Sequence, residues 1–273
     1  MAMAWPSIGV FDSGFGGLTV VKALVEVIPA ADYIYFGDTA RLPYGSKSAE
    51  TVARYAVSAA RFLEQQGAQL LVIACNTATA LALPQITGAA SVPVIGVIEP
   101  GADSAARASQ AHRVVVIGTE ATISSHAYRQ ALESRGLSAK EKACPLLVPL
   151  VEEAWVDHAV TEQVSRIYLE EAFADGFHSA DVLLLGCTHY PLLKPLLRRI
   201  VPVHIAIVDS AESTASVVSQ LLQRSNDKPA EPARPQRSGF KFFVTDSVEK
   251  FRRLGTTFLG HTIGDAQHVD PSD

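Results

Sequence analysis

Along most of the chain, short apolar runs alternate with longer stretches in which apolar positions recur every three or four residues. The short runs predict strands at 7–11, 33–36, 70–74, 92–97, 113–117, 146–150, 181–185, 203–208 and 241–244. The stretches between them predict helices, among them 48–66, 121–135, 161–174 and 213–223. A run such as Leu70-Leu71-Val72-Ile73 is apolar without alternation, so both of its faces are covered. Strand–helix alternation built on such runs predicts an α/β fold, with mainly parallel sheets flanked by helices. In folds of that kind, ligands gather beyond the carboxyl ends of the strands.

The pattern also repeats. IACNTATALALPQI, starting at Ile73, resembles LGCTHYPLLKPLL, starting at Leu185: an apolar strand, a cysteine, a nearby threonine, then an apolar helix with a proline. IGVFDSGFGG from Ile8 stands to VVVIGTEAT from Val114 in the same way. Any two strand–helix units look somewhat alike, but here cysteine falls on cysteine, which argues for two related halves. The Ser-, Pro- and Arg-rich stretch 223–239 reads as a mobile linker, and the tail after Gly260 as loose. Neither is expected to carry chemistry.

Composition narrows the class. The 273 residues leave room for two modest domains or one large one, and 48% hydrophobic with 19% charged residues supports a substantial core. A net charge of −5 argues against general nucleic-acid binding, although a local basic patch stays open. The apolar runs fall far short of the roughly 20 residues of a membrane span, and the first residues lack a positively charged signal region. A cytoplasmic protein without membrane contact is expected. Three widely spaced cysteines, Cys75, Cys144 and Cys187, fit neither a disulfide framework nor a zinc-binding pattern, so they are expected to be reduced thiols and no metal site is expected.

Cys75 and Cys187 each end an apolar strand where a helix begins. Free N–H groups and the helix dipole at such a point lower a thiol pKa and favour thiolate. A single cysteine there is better explained by simple burial; two in matched contexts are harder to dismiss. His189, two residues after Cys187, is suited to holding or accepting a proton, or is only a hydrogen-bonded core histidine. Asp12-Ser13-Gly14-Phe15-Gly16-Gly17 forms a glycine-lined turn without the Lys-Ser/Thr of a phosphate loop or the spacing of a dinucleotide fingerprint. It suits a small zwitterion, the acid for an ammonium and backbone N–H groups for a carboxylate; an ordinary Asp cap is the alternative. The polar loop 37–45 follows a strand and so could carry function, although a surface charge is the commoner role for an arginine such as Arg41. Glu152 and Glu153 follow the strand expected at 146–150, and Cys144, placed at the start of that strand, reads as structural.

IGVFDSGFGGLTV, FGDTARLPYG, LVIACNTATA, VPLVEE, LLLGCTHYPLL and VDSAEST occur in that order over nearly the whole chain. Together they resemble the glutamate racemase family of the cofactor-independent aspartate/glutamate racemase superfamily. The resemblance implies two pseudo-symmetric α/β domains, 1–98 plus 209–273 and 99–208, with the active site in the interdomain cleft. It implies Cys75 and Cys187 as the acid and base, aided by Asp12, His189 and Glu152. Substrate contacts are implied at Asp12, Ser13, Tyr44, Gly45, Asn76, Thr77, Thr188 and His189, with Thr119 and Thr122 near the side-chain carboxylate. The implied activity is interconversion of L- and D-glutamate without a cofactor, supplying D-glutamate for peptidoglycan synthesis; a homodimer is left open. Ala154-Trp155 departs from the small, glycine-like turn the resemblance leads one to expect after the acids.

Two thiols suit that chemistry. Inversion needs a base on one face of the α-carbon and an acid on the other, because a single base returns the proton to the side it came from. Cys75 is expected as thiolate and Cys187 as thiol with D-glutamate bound, and the reverse with L-glutamate. Aspartate racemisation is the nearest alternative, and a two-domain binding protein the alternative of another class.

Overall fold

The computed structural model describes residues 6–225 and 239–271. Its strands are β1 (Ser7–Asp12), β2 (Asp32–Gly37), β3 (Leu70–Ile73), β4 (Val94–Gly96), β5 (Arg113–Gly118), β6 (Ser138–Ala143), β7 (Val182–Gly186), β8 (Ala206–Asp209), β9 (Phe240–Val244) and β10 (Ala266–His268). Its helices are α1 (Leu18–Val27), α2 (Ala49–Gln65), α3 (Asn76–Ala89), α4 (Ile98–Ala108), α5 (Glu120–Ser124), α6 (Ala127–Glu133), α7 (Leu147–Glu152), α8 (Ala159–Phe173), α9 (Lys194–Ile200), α10 (Ser210–Ser225) and α11 (Val248–Leu259).

Among the described residues the strands form two sheets, ordered β10-β9-β2-β1-β3-β4 and β6-β5-β7-β8. Every pairing is parallel. The first four strands of each half therefore follow one plan: β2-β1-β3-β4 is matched by β6-β5-β7-β8. Parallel strands need helical crossovers, and those crossovers cover both faces. That is why β3 and β7 are buried at every position. The halves meet where α10 packs on α1 and α4, and where α3 touches α5. The α/β class with two parallel, helix-flanked sheets is as the sequence predicts.

Four local expectations need correction. The apolar run at 146–150 is not a strand: it leads into helix α7, which buries Leu147 and Val151, four apart, while Leu146 stays exposed. The strand lies earlier, at β6, whose sequence SAKEKA carries no apolar run. It is a sheet edge, and lysines are common edge guards; Lys140 and Lys142 pair with Asp175 and Glu171. Cys144 consequently follows a strand rather than opening one, and it is fully buried.

The helix expected at 121–135 is two helices, broken at His126 with φ +55°. Ser125 Oγ donates to the Thr122 carbonyl at 2.6 Å and accepts from Ala127 N–H at 3.2 Å, giving the backbone an alternative to the helical ladder. The tail is not wholly loose, since β10 pairs with β9. Of the linker expected at 223–239, residues 223–225 end α10, and Gly239 donates its N–H to Asp32 Oδ1 at 2.9 Å. Residues 226–238 lie outside the described residues. Among the described residues, no helix is long and apolar enough to cross a membrane.

Candidate active site

Strands β1 and β3 are neighbours, as are β5 and β7, so their carboxyl ends deliver Asp12, Cys75, Thr119 and Cys187 to one side of the molecule. A small cavity of about 40 Å³ lies there. One half contributes Ser13, Tyr44, Gly45, Cys75, Asn76 and Thr77 to its wall, and the other Thr119, Glu152, Cys187, Thr188 and His189. Asp12 and Thr122 are fully buried behind that wall. Leu42, Pro43 and Val148 also line it; they lie inside the motifs FGDTARLPYG and VPLVEE but are not among the expected substrate contacts. Glu153 is exposed, so Glu152 is the acid that faces inward.

Cys75 caps α3: its Sγ accepts from the Ala78 N–H at 3.4 Å and sits 3.5 Å from Ser13 Oγ. The helix-start donor is in place, but the thiolate that the sequence context suggests is not favoured here. Burial, reinforced by the Asp12 carboxylate, pushes the thiol up to about 12. Asp12 is itself held above its ordinary range by burial, which His189 and the N–H groups of Gly17 and Gly14 only partly offset. Its two oxygens accept from Gly14 N–H at 2.9 Å and Thr188 Oγ1 at 3.4 Å. The acid of the first turn thereby holds the loop of the second cysteine.

Cys187 has different company. Its Sγ lies 3.9 Å from His189 Nδ1, and His189 Nε2 lies 3.1 Å from Glu152 Oε1. Burial works against charge on this imidazole, yet the Cys187 sulfur and the Glu152 carboxylate outweigh it and hold the group at about 10. The ring also meets Phe258 of α11 edge-on, at 5.1 Å between centroids.

The two halves are in close contact around the cavity. A Cβ on Gly16 would stand 2.2 Å from Thr188 Oγ1, and one on Gly45 would stand 2.9 Å from Thr119 Cβ, so only glycine fits at either point. Three hydroxyls close a triangle between α3 and α5: Thr77 to Thr119 at 2.9 Å, Thr77 to Thr122 at 3.1 Å and Thr119 to Thr122 at 2.9 Å. Tyr44 OH donates to Asp38 Oδ2 at 2.5 Å, which anchors the loop that presents Gly45. Arg41 also reaches that carboxylate, at 3.5 Å, and lies over the Tyr55 ring. Among the described residues, no group of three or more His, Cys, Asp or Glu side chains is arranged to hold a metal ion.

Two thiols thus line one cavity, with a buried acid near the first and a His–Glu pair beside the second, groups whose chemistry suits proton transfer. Residues 8–218 match the family described as Asp/Glu/Hydantoin racemase. The chain belongs to that family. It is 58% identical over 288 residues to the glutamate racemase of Koribacter versatilis (strain Ellin345), covering 99% of each chain. The crystal structure of a glutamate racemase isoform from Bacillus anthracis matches it with a TM-score of 0.90, at 36% identity over 98% of both chains. That of the Francisella tularensis glutamate racemase in complex with D-glutamate matches with a TM-score of 0.87, at 35% identity over 98% of both chains. A chain with these relatives is an amino-acid racemase, and the two-sheet α/β fold is theirs as well.

Proposed function

We propose that this racemase interconverts L- and D-glutamate by two-base proton transfer between Cys75 and Cys187, supplying D-glutamate for peptidoglycan synthesis. The observation that carries the reading is the pair of buried cysteines, each after the third strand of its half, on the wall of one cavity. The names of the relatives support glutamate as substrate. The halves acting as units are taken as 1–98 with 209–273, and 99–208.

Deprotonation starts with one sulfur as thiolate. It takes the α-proton; the electron pair left on carbon spreads into the α-carboxylate; the opposite thiol then delivers its proton to the other face. On the Cys75 side burial and the Asp12 carboxylate favour the thiol. An incoming α-ammonium supplies the missing positive charge, and an opposite charge at that range stabilises thiolate. On the Cys187 side, His189 supplies the charge and Glu152 holds it. Asn76, Thr77 and Thr188 supply donors for charge developing on the α-carboxylate, and preorganised donors in a closed site act more strongly there than in water. The side-chain carboxylate is assigned to the Thr119 and Thr122 end.

The test is incubation with D-glutamate in deuterated water without added cofactor, following optical rotation and deuterium at the α-carbon. Loss of rotation with deuterium incorporation is expected, and aspartate in parallel reads the specificity. A folded protein with free thiols that neither exchanges nor inverts glutamate would overturn the reading.

A further inference from the structure

The Asn76 amide is held from one side only. Its Oδ1 accepts from Tyr128 OH at 2.6 Å, whereas its Nδ2 is buried without a protein partner, on a residue that lines the cavity. Leaving a buried amide N–H unpaired is costly, so an orphan donor at a binding cavity is best explained by an acceptor that arrives with the ligand. Which end of an amide faces a ligand depends on what fixes the other end.

Tyr128 is well suited to that task. It belongs to α6, in the half opposite Asn76, and is fully buried. Tyr128 OH gives its one hydrogen to Asn76 Oδ1, so toward the neighbouring Ser210 hydroxyl, at the start of α10, it can only accept. With Oδ1 held by Tyr128, the unpaired Nδ2 is the end of the Asn76 amide left for a ligand in the cavity. Burial holds the Tyr128 phenol well above its ordinary range, so the proton stays in place across the working pH.

We propose that Tyr128 is a positioning residue for the racemisation. It presents the Asn76 Nδ2 donor to the α-carboxylate only while the two halves are docked, and so couples their closure to stabilisation of the charge that develops there. This rests on the two-thiol reading above. Without the phenol, the amide can turn its oxygen toward the carboxylate, replacing a donor with a repulsive acceptor.

The experiment is a double-mutant cycle on the full chain with Tyr128→Phe and Asn76→Ala, measuring kcat and KM for D-glutamate together with Tm. Tyr128→Phe is expected to lower kcat about tenfold with KM changed less than about threefold, the signature of a contact that strengthens in the transition state. In the Asn76→Ala background it is expected to lower kcat no further, because the group it positions is gone. Equal losses in both backgrounds, or a loss of Tm with kcat unchanged, would overturn the proposal and leave Tyr128 a packing residue. A wild-type protein that does not racemise glutamate would instead fail the two-thiol reading, so the two failures are distinguishable. Should Tyr128→Phe fold poorly, Ser210→Ala removes the hydroxyl beside the phenol and is expected to produce a smaller kcat loss of the same kind.

Discussion

The loops bearing Cys75 and Cys187 occupy equivalent places in two halves built on one strand order, yet they differ in electrostatics. Cys75 faces a buried carboxylate and has no cation among its hydrogen-bond partners, so its proton is held tightly. Cys187 lies beside a histidine that a second acid keeps charged. Symmetric topology has been given asymmetric charge. Under the proposed mechanism, the difference teaches that a two-base site does not need two identical bases: substrate can bring to one side the positive charge that the protein has built into the other.

The largest expected effect comes from removing either thiol. Cys75→Ala and Cys187→Ala should each slow racemisation by on the order of 10³-fold or more, measured by circular dichroism. The remaining thiol should still exchange the α-hydrogen of one enantiomer with solvent, and the two variants should retain opposite enantiomers. If both retain the same one, the thiols do not sit on opposite faces and the comparison collapses.

Next comes the contact between the halves. Gly16→Ala places a Cβ against Thr188 and His189, so it should displace the Cys187 loop and lower kcat/KM about 100-fold. Gly45→Ala meets only Thr119 and should act mainly by raising KM, by about tenfold. Steady-state kinetics that gave both variants the same pattern would remove the distinction between the two walls.

Glu152→Gln sharpens the electrostatic side. Losing the carboxylate should lower the His189 pKa from about 10, drawing the alkaline limb of the kcat/KM profile to lower pH with roughly a tenfold loss of rate. An unmoved limb would show that Glu152 does not hold the imidazolium.

The smallest effect is on stability. His189 is raised in the folded chain, from 6.5 to about 10, so its contribution is complete below 6.5 and lost as pH rises through about 10. Cys75 is raised from 9.0 to about 12, so its contribution is complete below 9.0 and lost as pH rises through about 12. Both predict a Tm that falls on the alkaline side. In thermal melts across pH, Cys75→Ala should lose the upper part of that fall and keep the lower part; an unchanged curve would contradict the raised thiol.

The sequence by itself determined the α/β class and the matched Cys75 and Cys187 strand ends, because each depends on local order, whereas most residues of the cavity wall were implied by the resemblance of its ordered motifs to a family. A continuous apolar run is a buried strand wherever it lies, and a parallel strand's carboxyl end is where side chains meet ligand. It could not find β6, since an edge strand of lysines and glutamate has no apolar period, and it read the apolar run 146–150 as a strand where a helix buries Leu147 and Val151. Only the tertiary structure decided that Glu152 rather than Glu153 faces inward, that Tyr128 and Ser210 stand behind Asn76, and that Cys75 holds its proton. Those depend on burial and on charges brought from distant parts of the chain: Asp12 beside Cys75, and Glu152 beside a histidine 37 residues away. A helix start favours thiolate by an amount set within one turn, whereas desolvation is set by everything that packs around the sulfur.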